Sequence, residues 1–203
     1  MISKQYGGPF LPKPVPRNPG DLFDVGMMAD ALLYPGQDKL KLTDKLRWFL
    51  AQGHLTPVAK ETEGRQAYLF LPSQLLVAEV LLRLQEFGAL KPETGEIVRR
   101  SLSHWNEADK PSDAKWAGPG MHVIRDYEAG ARDWTFELWS FVNPENGHVR
   151  FEGRIAANQR ELGTQLFVTG DTQYKVRAVF AVDLIDVLDR IHPAAKARRR
   201  QAN

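Results

Sequence analysis

The spacing of apolar residues changes its rule part-way along this chain, and that change limits the folds open to it. Before residue 106 the apolar residues recur every three or four positions, as on helices; beyond residue 120 they alternate, as on strands. Between the two lies 106-NEADKPSDAKWAGPG-120, polar and rich in Pro and Gly, which reads as a linker. The expectation is an α+β protein in two units, 21–105 and 121–192, with a Pro-rich extended arm over 1–20 and a basic tail over 193–203.

In the arm, Pro9, Pro12, Pro14, Pro16 and Pro19 exclude a helix or a central strand, and Lys13 and Arg17 are candidates for a phosphate or groove contact. From Asp21, the spacing of Leu22, Val25, Met28, Ala29 and Leu32 predicts a helix ended by Tyr34-Pro35-Gly36. A second helix is predicted from a cap at Thr43 or Asp44, with Leu46, Phe49 and Leu50 inward and Gly53 as its left-handed stop. Then 61-ETEGRQAYLFLP-72 combines a turn at Gly64 with a short strand, as in a wing. Ser73 is placed as the cap of a strongly apolar helix to Glu86, closed by Gly88, and a further helix is expected from Glu93 to Trp105.

In the second unit, 149-VRFEGRI-155 alternates strictly, and Asn146-Gly147 predicts a hairpin to a strand over Trp134–Val142. A second hairpin is expected from Gln165–Thr169 to Tyr174–Phe180, turning at Gly170-Asp171. A strand over His122–Tyr127 brings the sheet to five, covered by a helix over Asp183–Ile191. Trp134, Phe136 and Trp139 do not fit on one face of a regular strand, which leaves an indole for a dimer, interdomain or small-molecule contact.

The order helix, turn, helix, hairpin, long helix resembles the DNA-binding domain of the MerR-type winged-helix family over residues 21–90. Leu46-Arg47-Trp48-Phe49, followed by Gly53 and Leu55, is similar to that family's second-helix pattern, 23-FDVGMMADAL-32 to its first helix and 74-QLLVAEVLLRLQEFGA-89 to the helix after its wing. The chain departs from the pattern in a connection of some ten residues, 34-YPGQDKLKLT-43, and in Tyr68 and Phe70 at the wing. The resemblance implies a winged helix-turn-helix in which Arg47 projects toward double-stranded DNA, with Trp48 beside it and Lys39, Lys41, Thr43, Lys45, Arg65 and Tyr68 near the backbone. It also implies a homodimer on a two-fold site, with the helix ending at Trp105 or the second unit as the seam.

The composition limits other chemistries. The chain has no cysteine, which excludes disulfides and thiolate metal sites, and its five histidines, 54, 104, 122, 148 and 192, are scattered singly. His54 is expected as a capping or surface residue, and 118-GPG-120 as linker without a following helix. Asp126 with Glu128, and Glu137 with Glu152, are the only paired carboxylates worth weighing, and solvated strand faces account for them better than catalysis. The expectation is therefore a non-enzyme without cofactor, cytoplasmic and off the membrane, acting as a transcriptional regulator whose second unit senses a small-molecule or protein effector, dimerises or recruits. Net charge is only +2 and the tail 196-KARRR-200 carries four cations, so any DNA surface is a local patch. That near-neutrality keeps a protein-binding or assembly role of the winged helix open.

Overall fold

The structure, a computed structural model, describes residues 12–15, 22–105, 118–157 and 174–191. The first helix, α1 (Val25–Leu32), begins where the Asp24 carboxylate accepts a 2.7 Å hydrogen bond from the Met27 amide. Met28, Ala29 and Leu32 are buried on the expected stripe. Helix α2 (Lys39–Ala51) starts a turn earlier than the sequence reading placed it. Its cap is Asp38, whose carboxylate accepts from the Leu40 and Lys41 amides at 2.8 and 3.3 Å. Thr43 therefore lies inside the helix, buried, with its hydroxyl donating to the Lys39 carbonyl at 2.8 Å. The connection between the two helices shortens from the expected 34–43 to residues 33–38. Gly53 ends α2 at φ +73°, a conformation open to glycine at little cost.

A hairpin follows. Strands β2 (Ala59–Glu61) and β3 (Tyr68–Leu69) pair antiparallel, with Ala59 opposite Leu69 and Lys60 opposite Tyr68. Phe70, fully buried, exchanges backbone hydrogen bonds of 2.8 and 2.9 Å with Phe23, which fastens the returning strand to the chain just ahead of α1. The arm supplies an unexpected third strand, β1 (Lys13–Val15), which pairs parallel with β2 in the order β1-β2-β3. Pro14 is tolerated because β1 is the edge strand, where a missing donor leaves no ladder bond unmade. Arg17 and the tail lie outside the described residues.

Helix α3 (Ser73–Glu86) is buried on several sides. Ser73 is its first residue rather than its cap; Pro72 precedes it, and no side chain closes that end. Helix α4 (Pro92–Ser103) stops before Trp105, which lies outside it, while Val98 and Leu102 face the core. The predicted strand over His122–Tyr127 is a helix, α5 (Pro119–Glu128). Gly118 at φ +79° precedes it and Pro119 opens its first turn, so 118-GPG-120 starts a helix instead of ending a linker. Val123, Ile124 and Tyr127 are buried at helical spacing, a pattern that six residues read alone do not separate from a strand.

Three strands of nine residues each follow: β4 (Trp134–Val142), β5 (Val149–Ala157) and β6 (Lys175–Asp183), all antiparallel in the order β5-β4-β6. The expected strand over 165–169 lies outside the described residues. Phe136 sits between Ile155 and Val182, and Leu138 between Gly153 and Phe180, on the sheet face that carries the core. Helix α4 rests on this face at Gly153: a Cβ built there would stand 2.4 Å from Ser101 Oγ and 2.8 Å from Ile97 Cγ2. A last helix, α6 (184–191), buries Leu184, Val187, Leu188 and Ile191. One buried cluster runs through the molecule, from Phe23 and α1 through α3, α4 and α5 to the sheet and α6.

Candidate nucleic-acid interface

Helix α2 buries Leu42, Thr43, Leu46 and Phe49 and turns most of the rest of its circumference outward. Residues 40, 41, 44, 45, 47, 48 and 51 are all exposed, so Trp48 stands amid Lys41, Asp44, Lys45 and Arg47. Trp48 keeps 45% of its surface and Leu40 keeps 76%, values that make this face both cationic and apolar. Burial has a partner side: the Trp48 ring meets Phe49 at 5.5 Å and the edge of His54 at 6.2 Å.

The cations of this face are not equivalent. Lys39, at the start of α2, is held 2.5 Å from Asp30 of α1, and Arg47 lies 3.1 Å from Asp44 one turn back. The Arg47 pair is solvent-exposed on both sides, so it holds the guanidinium weakly. Lys41 and Lys45 have no carboxylate partner among the described residues. In the hairpin, Arg65 is exposed next to the Gly64 turn, and exposed Tyr68 lies under the Lys60 ammonium at 5.4 Å. Of the eight residues singled out by sequence, then, Lys41, Lys45, Arg47 and Trp48 lie on the outer side of α2, Lys39 is turned toward α1 and paired with Asp30, Arg65 and Tyr68 belong to the hairpin, and Thr43 points inward.

His54, expected as a capping or surface residue, is buried. Its ring lies against the backbone of α4, so close that a Cβ on Gly95 would fall 2.6 Å from its Cε1. Burial pushes the imidazole below its ordinary value; Glu96 opposes that shift and Arg99 adds to it.

Behind α2 lies a polar cluster that the sequence did not single out. Glu79, at the centre of apolar α3, is 1% exposed. Its Oε1 accepts from the Tyr34 hydroxyl at 2.9 Å and from Arg190 of α6 at 2.7 Å, and it forms an ion pair with Arg83 Nε at 3.1 Å. Both guanidinium groups also face the Tyr34 ring, at 4.0 Å for Arg190 and 4.9 Å for Arg83. Burial, then the Glu79 charge and hydrogen bond, push the Tyr34 hydroxyl up to about 12. An acid in the middle of the apolar run of α3 was the available signal, since a buried carboxylate needs cationic partners.

Neither carboxylate pair considered in the second unit lies on a solvated strand face, although Glu137 and Glu152 share one face of the sheet at diagonal positions, opposite Arg154 and Trp139. Asp126 lies on α5 beside His122 at 3.3 Å, and Glu137 is buried, accepting from the Trp139 indole at 2.8 Å. Arg150 pairs with Glu152 at 3.2 Å and stacks between Phe141 and Tyr174. Among the described residues no three His, Asp or Glu side chains gather at metal-ligand spacing, and no helix is long and apolar enough to cross a membrane. No protein-family model, curated protein or solved structure matches this chain.

Proposed function

We propose that this protein binds double-stranded DNA in a sequence-specific way and regulates transcription, with α1, α2, the β2–β3 hairpin and α3 acting as a MerR-type winged helix. The observation that carries the reading is the outer side of α2, where Lys41 and Lys45, without a carboxylate partner among the described residues, and weakly held Arg47 surround an exposed Trp48. Lysines so placed suit phosphate contacts, and an arginine free to leave a surface pair suits the edge of a guanine in the major groove. Arg65 beside the hairpin turn is the matching contact for the flanking backbone. A homodimer reading two half-sites, with the region from α5 onward sensing, dimerising or recruiting, completes the proposal.

A protein-binding role is the second reading, and Leu40 favours it. A leucine 76% exposed on the same helix as the exposed Trp48 is more at home in a protein interface than on a phosphate backbone.

Salt separates the two. Host DNA fragments captured by the protein, sequenced and then titrated by fluorescence anisotropy should show affinity falling steeply with salt, and Lys45→Ala should flatten the slope by about one. Arg47→Ala should cost ~1–3 kcal/mol at one base position and leave the others unchanged. Failure to retain DNA at low salt would sink the DNA reading and turn the search to a protein partner.

A further inference from the structure

The two outer strands of the sheet β5-β4-β6 are unlike. Along β5 one face carries Arg150, Glu152 and Arg154, and every residue from Val149 to Ala156 is half-buried. Charges placed so guard a strand edge against pairing. Along β6 the stretch 178-AVFAV-182 holds no charge, and Arg177, Ala178, Val179, Ala181 and Asp183 are all exposed. Among the described residues only β4 pairs with β6, so its second row of backbone donors and acceptors is open to another strand. Apolar surface gathers there as well. Val179 is 44% exposed, and Phe87, 73% exposed at the end of α3, meets the Phe180 ring edge-on at 5.6 Å.

The residues of β6 say which strand fits. Laid antiparallel to itself about Phe180, 177-RAVFAVD-183 sets Arg177 opposite the partner's Asp183, Ala178 opposite the partner's Val182 and Val179 opposite the partner's Ala181. Each of these pairs joins a cation to an anion or a small side chain to a larger one, as a stable antiparallel ladder requires. The faces agree too: Ala178, Phe180 and Val182 pair with Ser140, Leu138 and Phe136 on the core side, and Val179, Ala181 and Asp183 lie on the other. A shift of two residues would set Val179 against the partner's Val179 or the partner's Asp183, and a shift of one would mix the faces. Arg177, left without a counterpart at the register shift against β4, has no carboxylate partner among the described residues. Asp183 accepts from the Ile185 amide at 2.8 Å through Oδ1, and its Oδ2 is the oxygen that remains for a guanidinium. At the centre Phe180 would meet the partner's Phe180, with Phe87 of each copy beside them.

We infer that β6 is the seam of the homodimer: two copies join β6 edge to edge, antiparallel and centred on Phe180, so that two three-stranded sheets become one. The inference rests on the homodimer of the proposed function but not on its DNA, and its test contains none.

Sedimentation equilibrium of the full chain at low ionic strength, across the micromolar range, is that test. The chain should sediment as a dimer. Arg177→Asp, at an exposed position, sets like charges against each other at both ends of the seam and should raise the dissociation constant about tenfold or more. Asp183→Arg should do the same with the opposite sign. Mixed in equal amounts, the two variants regain opposite charges at both ends, so a fluorophore on one should report a heterodimer tighter than either variant forms with itself. Asp183→Arg also removes a cap of α6; if it fails to melt cooperatively, Val179→Lys, a charge in the middle of the exposed edge, takes its place and should weaken the dimer to a similar degree. A chain that stays monomeric, or a dimer that Arg177→Asp leaves unchanged, would overturn the seam while leaving DNA capture to decide the DNA reading. Charge variants that fail to recover on mixing would overturn the register.

Discussion

The two sheets of this protein are built on opposite terms. The larger, β5-β4-β6, has nine-residue strands paired along their length, with a register shift against β6 between Ser140 and Phe141, and α4 lies on it with no clearance at Gly153. The smaller, β1-β2-β3, has strands of two or three residues, one of them a parallel addition from a Pro-rich arm. Its hold comes less from its ladder than from Phe70, buried and bonded to Phe23. Long strands carry their own register, while short ones borrow it from a neighbouring core. The candidate DNA-facing hairpin is of the second kind, which leaves it freer to adjust against a partner than the sheet behind it.

The largest effect should come from the tight face. Gly153→Val would push a branched side chain into Ser101 and Ile97, and urea unfolding should show a loss of about 3 kcal/mol, at the upper end for overpacking. A loss under about 1 kcal/mol would mean that α4 lifts from the sheet easily, and the contrast between the two sheets would fail.

A smaller effect is expected where the chain enters the small sheet past α4. The depressed His54 imidazole favours the neutral form in the folded protein, so its contribution to stability is complete above the ordinary value of 6.5 and is lost as pH falls below it. His104, lowered by burial and then by Arg99 and Arg100, acts in the same direction. Urea midpoints should therefore drop from about pH 7.5 to about pH 5.5, and His54→Gln should reduce that drop without removing it. An identical pH dependence in the variant would dissociate His54 from the effect.

The smallest change should follow removal of residues 1–15. One edge strand held by a few backbone bonds is worth no more than about 1 kcal/mol, so the unfolding midpoint should scarcely move. The bared edge of β2 should instead promote self-association, read by light scattering. A collapse of stability on truncation would make the arm an integral part of the fold and erase the distinction between the sheets.

The same contrast explains what the sequence made legible. The alternation over residues 149–155 and Asn146-Gly147 located β4 and β5 closely, and apolar stripes located α1 and α3. The start of α2 was missed because Thr43-Asp44 also offers capping side chains, although buried Leu42 extends the Leu46 and Phe49 stripe back toward the true cap, Asp38. Helix α5 was read as a strand because its three core residues are close enough in sequence to fit either period. Strand β1 had no periodicity to read: it is a strand only because β2 lies beside it. On the candidate interface, the outward cations of α2 were visible from helical spacing, but the inward turn of Thr43 followed from the misplaced cap. The Tyr34, Glu79, Arg83 and Arg190 cluster depends on a contact across 111 positions, which no local pattern encodes.

That long contact bears on how the chain is made. As synthesis proceeds, α3 emerges with Glu79 alongside Arg83 and with Tyr34 already available, but Arg190 emerges more than a hundred residues later. Until then the acid has one guanidinium where the finished protein gives it two, and α6 has not yet covered its share of the core. A nascent chain halted before α6 thus carries the strands of both sheets but an under-compensated charge at its centre, and is open to chaperones and proteases. The last helix closes the fold electrostatically as well as sterically.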